Sequence, residues 1–184
     1  MQFPTFQELL RKTEEILNET LHGKISIMVH SHNNERLINE ITMIDNAMFR
    51  EELRYDKNEL KQIFRNPGLF CIIVYLDGEP IAFDYGYEES EKIYFSDSSA
   101  TLIERKGIGK MLGVLELVYL YEKGYDSLKF TTEEMDEMGR PLRQIWEKQG
   151  YKTVSVSSDG GVDMMLEITP EVVAERVQKT YHNA

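Results

Sequence analysis

The segment "LIERKGIGKMLG", Leu102–Gly113, decides how this chain is read. Gly107 and Gly109 sit one residue apart among Arg105, Lys106 and Lys110, in a chain whose net charge is -11. The residues that follow repeat with helical period. Ile108, Met111, Leu112, Leu115, Val118 and Tyr119 form one apolar stripe, which Gly124 ends. The residues before them, "KIYFSDSSATLI", have strand character. A glycine turn between a strand and a helix offers unpaired backbone N–H groups at the positive end of the helix dipole. Without a Cβ, the backbone there can approach a ligand closely and take positive φ. With three cations added, the segment reads as a phosphate or pyrophosphate cradle.

Three phosphate-bearing ligands compete for it. A P-loop needs two glycines five apart, then Lys and Ser or Thr, and neither the spacing nor the hydroxyl is present. Gly107, Gly109 and Gly113 come near a dinucleotide fingerprint, but a Rossmann strand should run straight into its first glycine, and here "ERK" intervenes. The third candidate is coenzyme A.

Working outward, the N-terminal side begins with a helix. Thr5 and Glu8 have capping-box spacing, Phe6, Leu9, Leu10, Thr13, Ile16 and Leu17 follow at three-and-four intervals, and Gly23 closes it. "KISIMVH" reads as a strand, "NERLINEITMIDNAMF" as a second helix, and "DKNELKQIFRN" as a third that Pro67-Gly68 stops. Two β-rich runs, "LFCIIVYL" and "PIAFDYGYE", meet at the hairpin signal "DGEP". Beyond the glycine segment come the strand "SLKFTT", a polar loop, and a helix that Pro141 starts and Gly150 stops, carrying Leu142, Ile145 and Trp146. "YKTVSVS" and "VDMMLEI" should pair across "SDGG", and Thr169-Pro170 should cap a last helix. Turns this short rule out crossovers between the central strands, so the expected fold is an α/β (α+β) domain with a mixed, mostly antiparallel twisted sheet and helices on both faces.

At 184 residues the chain fits a single domain, residues 1–184, with helical additions at 1–23 and 169–184 around a core at 24–168. The terminal helices are expected to pack within the chain; a homodimer contact is the other use for them. No apolar run approaches the roughly 18–20 residues of a membrane span, and the N-terminus has no hydrophobic signal core. A cytoplasmic location without membrane contact is expected. The one cysteine, Cys71, excludes an internal disulfide and, inside "LFCIIVYL", reads as a small core residue. The acidity argues against nucleic acid as a partner and is compatible with a cationic, amine-bearing one. His30 and His32 have no third ligand near them in sequence, so no metal is expected.

Set in this context, "ERKGIGKML" resembles the acyl-CoA-binding signature of the GNAT superfamily of N-acetyltransferases, Gln/Arg-x-x-Gly-x-Gly/Ala at the start of a long helix. "GRPLRQIWEKQGY" is similar to that family's second signature, N-x-P-M-x-x-(I/L)-(Y/N)-E-K-x-G-F, at the expected spacing. The resemblance covers roughly Lys24 to Ile168. Glu104 departs from the first signature, and Gly139 and Trp146 stand where the second has Asn and Tyr.

The resemblance implies that acetyl-CoA is the co-substrate and that a primary amine, on a small molecule or a peptide, takes the acetyl group by direct attack in a ternary complex. It implies that the strand before the first signature splays from its neighbour, so that Asp97, Ser98 and Ser99 face the pantetheine arm and acyl carbonyl. Backbone amides from Lys106 through Gly107, Ile108, Gly109 and Lys110 would hold the pyrophosphate, with the Arg105 and Lys110 side chains close by. Gly139 and Trp146 carry the second signature's cofactor positions. The amine must lose a proton, and Glu133, Glu134 and Asp97 are the candidate bases. Asp84, Tyr85 and Tyr87 are candidates for lining the acceptor cleft. With tryptophan in place of tyrosine, another tyrosine or water must protonate the leaving thiolate. Two alternatives stay open: a non-catalytic coenzyme A-binding or interaction module, and an NADP-binding protein.

Overall fold

A computed structural model describes residues 3–158 and 160–181. Residues 1–2, 159 and 182–184, which include part of the "SDGG" turn and the end of the C-terminal segment, lie outside the described residues. The elements run α1 (Phe6–Leu21), β1 (Ile25–His30), α2 (Glu35–Met48), a single 3₁₀ turn (Glu51–Leu53), α3 (Lys57–Ile63), β2 (Phe70–Leu76), β3 (Glu79–Ser90) and β4 (Ile93–Thr101). They continue with α4 (Ile108–Lys123), β5 (Ser127–Glu133), α5 (Leu142–Lys148), β6 (Lys152–Val156), β7 (Gly161–Glu167) and α6 (Pro170–Tyr181).

The seven strands form one sheet in the order β1-β2-β3-β4-β5-β7-β6. Every neighbouring pair is antiparallel except β4 and β5, which are joined by the α4 crossover. This is the mixed, mostly antiparallel sheet that the turn lengths require. The hairpin between β2 and β3 turns on Asp77 and Gly78, both at positive φ, as a tight two-residue connection demands.

Helices cover both faces, which explains why "LFCIIVYL" is apolar without alternation. On β2, Phe70, Ile72 and Val74 face a core built with α1, α4 and α6, whereas Cys71, Ile73 and Tyr75 face a second core built with α2 and α3. Cys71 is fully buried, and burial pushes its thiol well above its usual range. The terminal helices pack within the chain. The capping box of Thr5 and Glu8 starts α1, whose Phe6, Leu9 and Leu17 are buried in the first core. Thr13 on α1 and Tyr181 on α6 share a buried hydroxyl contact of 2.6 Å, while Val173 and Val177 bury the inner face of α6. Ile145, which shares a stripe with Leu142 and Trp146, is exposed, and no residue of the two-turn α5 is fully buried.

Candidate active site

The site begins where β4 and β5 stop pairing. Their parallel register covers only Ile93–Phe95 against Ser127–Lys129, after which both strands continue without each other. A β-bulge sits at that point: Tyr85 pairs Ser98 and Gly86 pairs Ser96, leaving Asp97 as the extra residue. Gly86 is required there, since a Cβ would lie 2.2 Å from the Phe95 carbonyl oxygen and 2.9 Å from Ser96 Cα. Beyond Phe95, the edge of β4 that faced β5 has no strand partner among the described residues. The divergence opens a cleft of about 1960 Å³ lined by both strands, α4, α5 and α6.

Most of the residues expected at the site meet in this cleft. Asp97, Ser98 and Ser99 line it from β4, Gly109 and Lys110 from α4, Glu133 and Glu134 from the end of β5, and Trp146 from α5. The glycine turn has the geometry of a cradle. Gly107 caps α4 at φ 77, Arg105 before it is also left-handed at φ 58, and no side chain caps the helix. The first amides of α4 are therefore left without a side-chain partner. An added Cβ at Gly109 or at Gly113, one turn later on the same face, would meet nothing within 4 Å. Lys106 and Gly107 border instead a smaller cavity of about 370 Å³ walled by Ile16 and Glu19 of α1 and Thr180 of α6, and Lys110 borders both. The Lys110 ammonium donates to the Lys179 carbonyl at 2.9 Å, tying the cradle to the C-terminal helix.

Three of the residues expected to hold the cofactor border neither cavity. The Ile108 side chain is buried in the core, so that residue offers only its N–H. Arg105 is exposed, and so is Glu104 beside it. Gly139, at φ 73, closes a turn in the loop after β5, with its N–H donating to Asp136 O at 2.9 Å.

The three candidate bases are in unlike surroundings. Glu133 accepts from Arg50 at 3.0 Å and Glu134 from Arg143 at 2.8 Å, and both side chains are 47% exposed. Arg50 also forms an ion pair with Glu137 at 2.7 Å, which straps the α2–α3 connection to the loop after β5. Asp97 is more enclosed. It accepts from the Tyr55 hydroxyl at 3.2 Å, and its second oxygen has no partner among the described residues. Burial raises its pKa to about 6; the Tyr55 bond works the other way, and the Asp45 charge adds to the rise.

Sequence reasoning missed several neighbours. Tyr55 reaches Asp97 from a loop 42 residues earlier, a contact with no local signal. Of the three residues proposed for the acceptor cleft, Asp84 and Tyr87 line it, whereas Tyr85 points to the opposite face and packs on Phe64 and Phe83. Asp84 is buried and faces α4, where Glu116, also buried, lines the same cleft. The signal for Glu116 was present: one glutamate inside the apolar run "GVLELVYL". Trp146 packs edge-on to Phe130 and Tyr151, and its indole wall borders the cleft.

Of eight solved structures that superpose on the chain, seven are acetyltransferases by name and five of those are N-acetyltransferases. The aminoglycoside 6'-N-acetyltransferase complexed with coenzyme A matches at a TM-score of 0.65 and 16% identity, over 79% of this chain and 98% of its own. The Escherichia coli ribosomal-protein-S18-alanine N-acetyltransferase matches at 0.62 and 12%, over 78% and 95%. An acetyltransferase of the GNAT family from Desulfovibrio desulfuricans matches at 0.60 and 13%, over 79% and 99%. The chain has the GNAT fold. No family model and no curated protein sequence matches it. At these identities the GNAT likeness lies in the path of the backbone, and any activity resides in the residues of the cleft.

Proposed function

We propose that this chain is an acyl-CoA-dependent N-acyltransferase, one catalytic domain that moves an acetyl group from acetyl-CoA to a primary amine by direct attack. One observation carries the reading: a single cleft joins an open glycine cradle, an unpaired strand edge and an enclosed carboxylate. The fit to coenzyme A rests on this chain's own groups. The open faces of Gly109 and Gly113 leave room that any side chain would fill, and the capless start of α4 offers amides to a pyrophosphate. The acetyltransferase of this fold complexed with coenzyme A supports the same choice over a dinucleotide.

When bound, acetyl-CoA supplies an activated thioester carbonyl. The amides of Gly107 to Lys110 would hold its phosphates, with Arg105 and Lys110 as the nearby cations. The edge of β4 at Ser98 and Ser99 would align the arm as a strand partner and place an N–H against the carbonyl oxygen. A donor so placed is worth about 10²–10³ in rate in acyl transfer. Asp97 would receive the proton that the neutral amine loses as it attacks the carbonyl. With a pKa of about 6 it is mostly ionised at neutral pH and still basic enough to act, a contribution of about 10²–10⁴. Glu133 and Glu134 are held in ion pairs and more open to water, which suits them to the acceptor rim.

The acceptor is an amine of unassigned identity; solved neighbours act on an aminoglycoside and on ribosomal-protein-S18 alanine. The test is acetyl-CoA-dependent thiol release against a library of amines, with Asp97→Asn beside the wild type. Coenzyme A binding without any acetylated amine would favour the non-catalytic module.

A further inference from the structure

The proton that the leaving sulfur needs has no tyrosine to come from at position 146. The cleft holds another source. On α4, Gly109, Gly113 and Glu116 follow at i, i+4 and i+7, so the two open glycines form a track that ends at a carboxyl, about 10 Å further along the helix axis. Glu116 is 3% exposed and borders the cleft, and its Oε1 has no partner among the described residues. It lies where the strands part: Ser96, whose hydroxyl is beside its carboxyl, is the first β4 residue past the paired stretch. Asp84 faces it from β3, 2% exposed, with an unpartnered Oδ1 of its own.

Two carboxyls buried together cannot both ionise without a cation between them, and no salt bridge reaches either one among the described residues. At least one proton is therefore stored at the point of the cleft. Besides Asp84, the titratable groups that feel the Glu116 charge are the Tyr94 hydroxyl of β4 and the Tyr151 hydroxyl before β6; neither is a cation. Burial and the Asp84 charge both push Glu116 well above the usual carboxylate range.

Resting on the acyltransferase reading, we propose that Glu116 is the general acid of the transfer, with Asp84 as the positioning residue that keeps it protonated. As the C–N bond to the amine forms and the C–S bond breaks, Glu116 gives its proton to the departing sulfur. Asp97, on the other side of the bulge, takes the proton that the neutral amine nitrogen loses as the C–N bond forms, and then gives it to solvent. Glu116 then regains a proton from solvent, which matches the one Asp97 releases, so no further reactant is needed.

The experiment compares wild type, Glu116→Gln, Asp84→Asn and Tyr151→Phe in two readouts. The first is the infrared difference spectrum between coenzyme A-bound and free protein at neutral pH. The protonated-carboxyl C=O band should shift on binding in the wild type and be absent in Glu116→Gln. The second is turnover against pH with the best amine of the library. Glu116→Gln should keep its affinity for coenzyme A, lose about 10²-fold or more in kcat, and lose the alkaline limb at which a general acid deprotonates. Asp84→Asn should keep that limb and move it to lower pH. No acid band in the wild type, or an alkaline limb that Tyr151→Phe removes and Glu116→Gln leaves, overturns the proposal while the acyltransferase reading stands. Wild type that binds coenzyme A without turnover overturns both, since no sulfur then leaves.

Discussion

Gly109→Glu separates binding from folding, because the same side chain should help one and harm the other. Gly109 is the second residue of α4, and a Cβ there meets nothing within 4 Å, so the larger residue fits. Replacing glycine within a helix favours folding by roughly 0.5–1 kcal/mol, and an acidic group in the first turn adds about 0.3–1 kcal/mol through the helix dipole. For a chain of this size, about 1 kcal/mol is a rise of ~2–4 °C in Tm. Binding should go the other way. A carboxylate about 5 Å from one phosphate charge, at an effective dielectric near 20, costs about 3 kcal/mol, or roughly 10²-fold in Kd. A pyrophosphate doubles the opposing charge. Calorimetry with coenzyme A, beside a thermal melt of each protein, reads both effects. An unchanged Kd in a variant with equal or higher Tm would refute the cradle. A lowered Tm would show that the open space at Gly109 had been misjudged.

Asp97→Asn should cut turnover by about 10²–10⁴ and abolish the acid limb near pH 6 while coenzyme A affinity persists; a retained limb would move the base elsewhere. Gly86→Ala should lower Tm by about 2–12 °C, because its Cβ meets backbone at 2.2 Å at the bulge and overpacking costs typically 1–3 kcal/mol; an unperturbed melt would contradict that geometry. Stability should also fall as pH rises. Asp45, Asp84, Asp97 and Glu116 all have carboxyl groups raised by burial. A folded-state pKa above the unfolded one stabilises fully below about pH 4, and that contribution is lost as pH climbs through the folded values, near 6 for Asp97. Melts at pH 5 and pH 8 should show the higher Tm at pH 5, with a smaller difference in Glu116→Gln; a flat profile would mean these carboxyls are better solvated than their burial implies.

What the sequence made legible was local. The Thr5–Glu8 cap, the Asp77-Gly78 turn and the glycine start of α4 each depend on residues within one turn, and each stands where its chemistry placed it. The β4/β5 separation was legible only through the family resemblance, since it arises from a bulge opposite Gly86 that depends on pairing across two strands. The base was harder still. Glu133 and Glu134 looked free because Arg50, 83 residues away, and Arg143 on the next helix carry no sign in sequence of where they will point. Glu116 was visible and unread: a lone glutamate in an apolar helix is informative only once Asp84 is known to lie opposite it.

The central claim is that the cleft between β4 and β5 takes an acyl-CoA, and titration calorimetry of the full chain with acetyl-CoA, coenzyme A and NADPH tests it most directly. One site per chain for both coenzyme A species, with no heat from NADPH, is the predicted result. Silence with coenzyme A, or binding of NADPH in its place, would contradict the account.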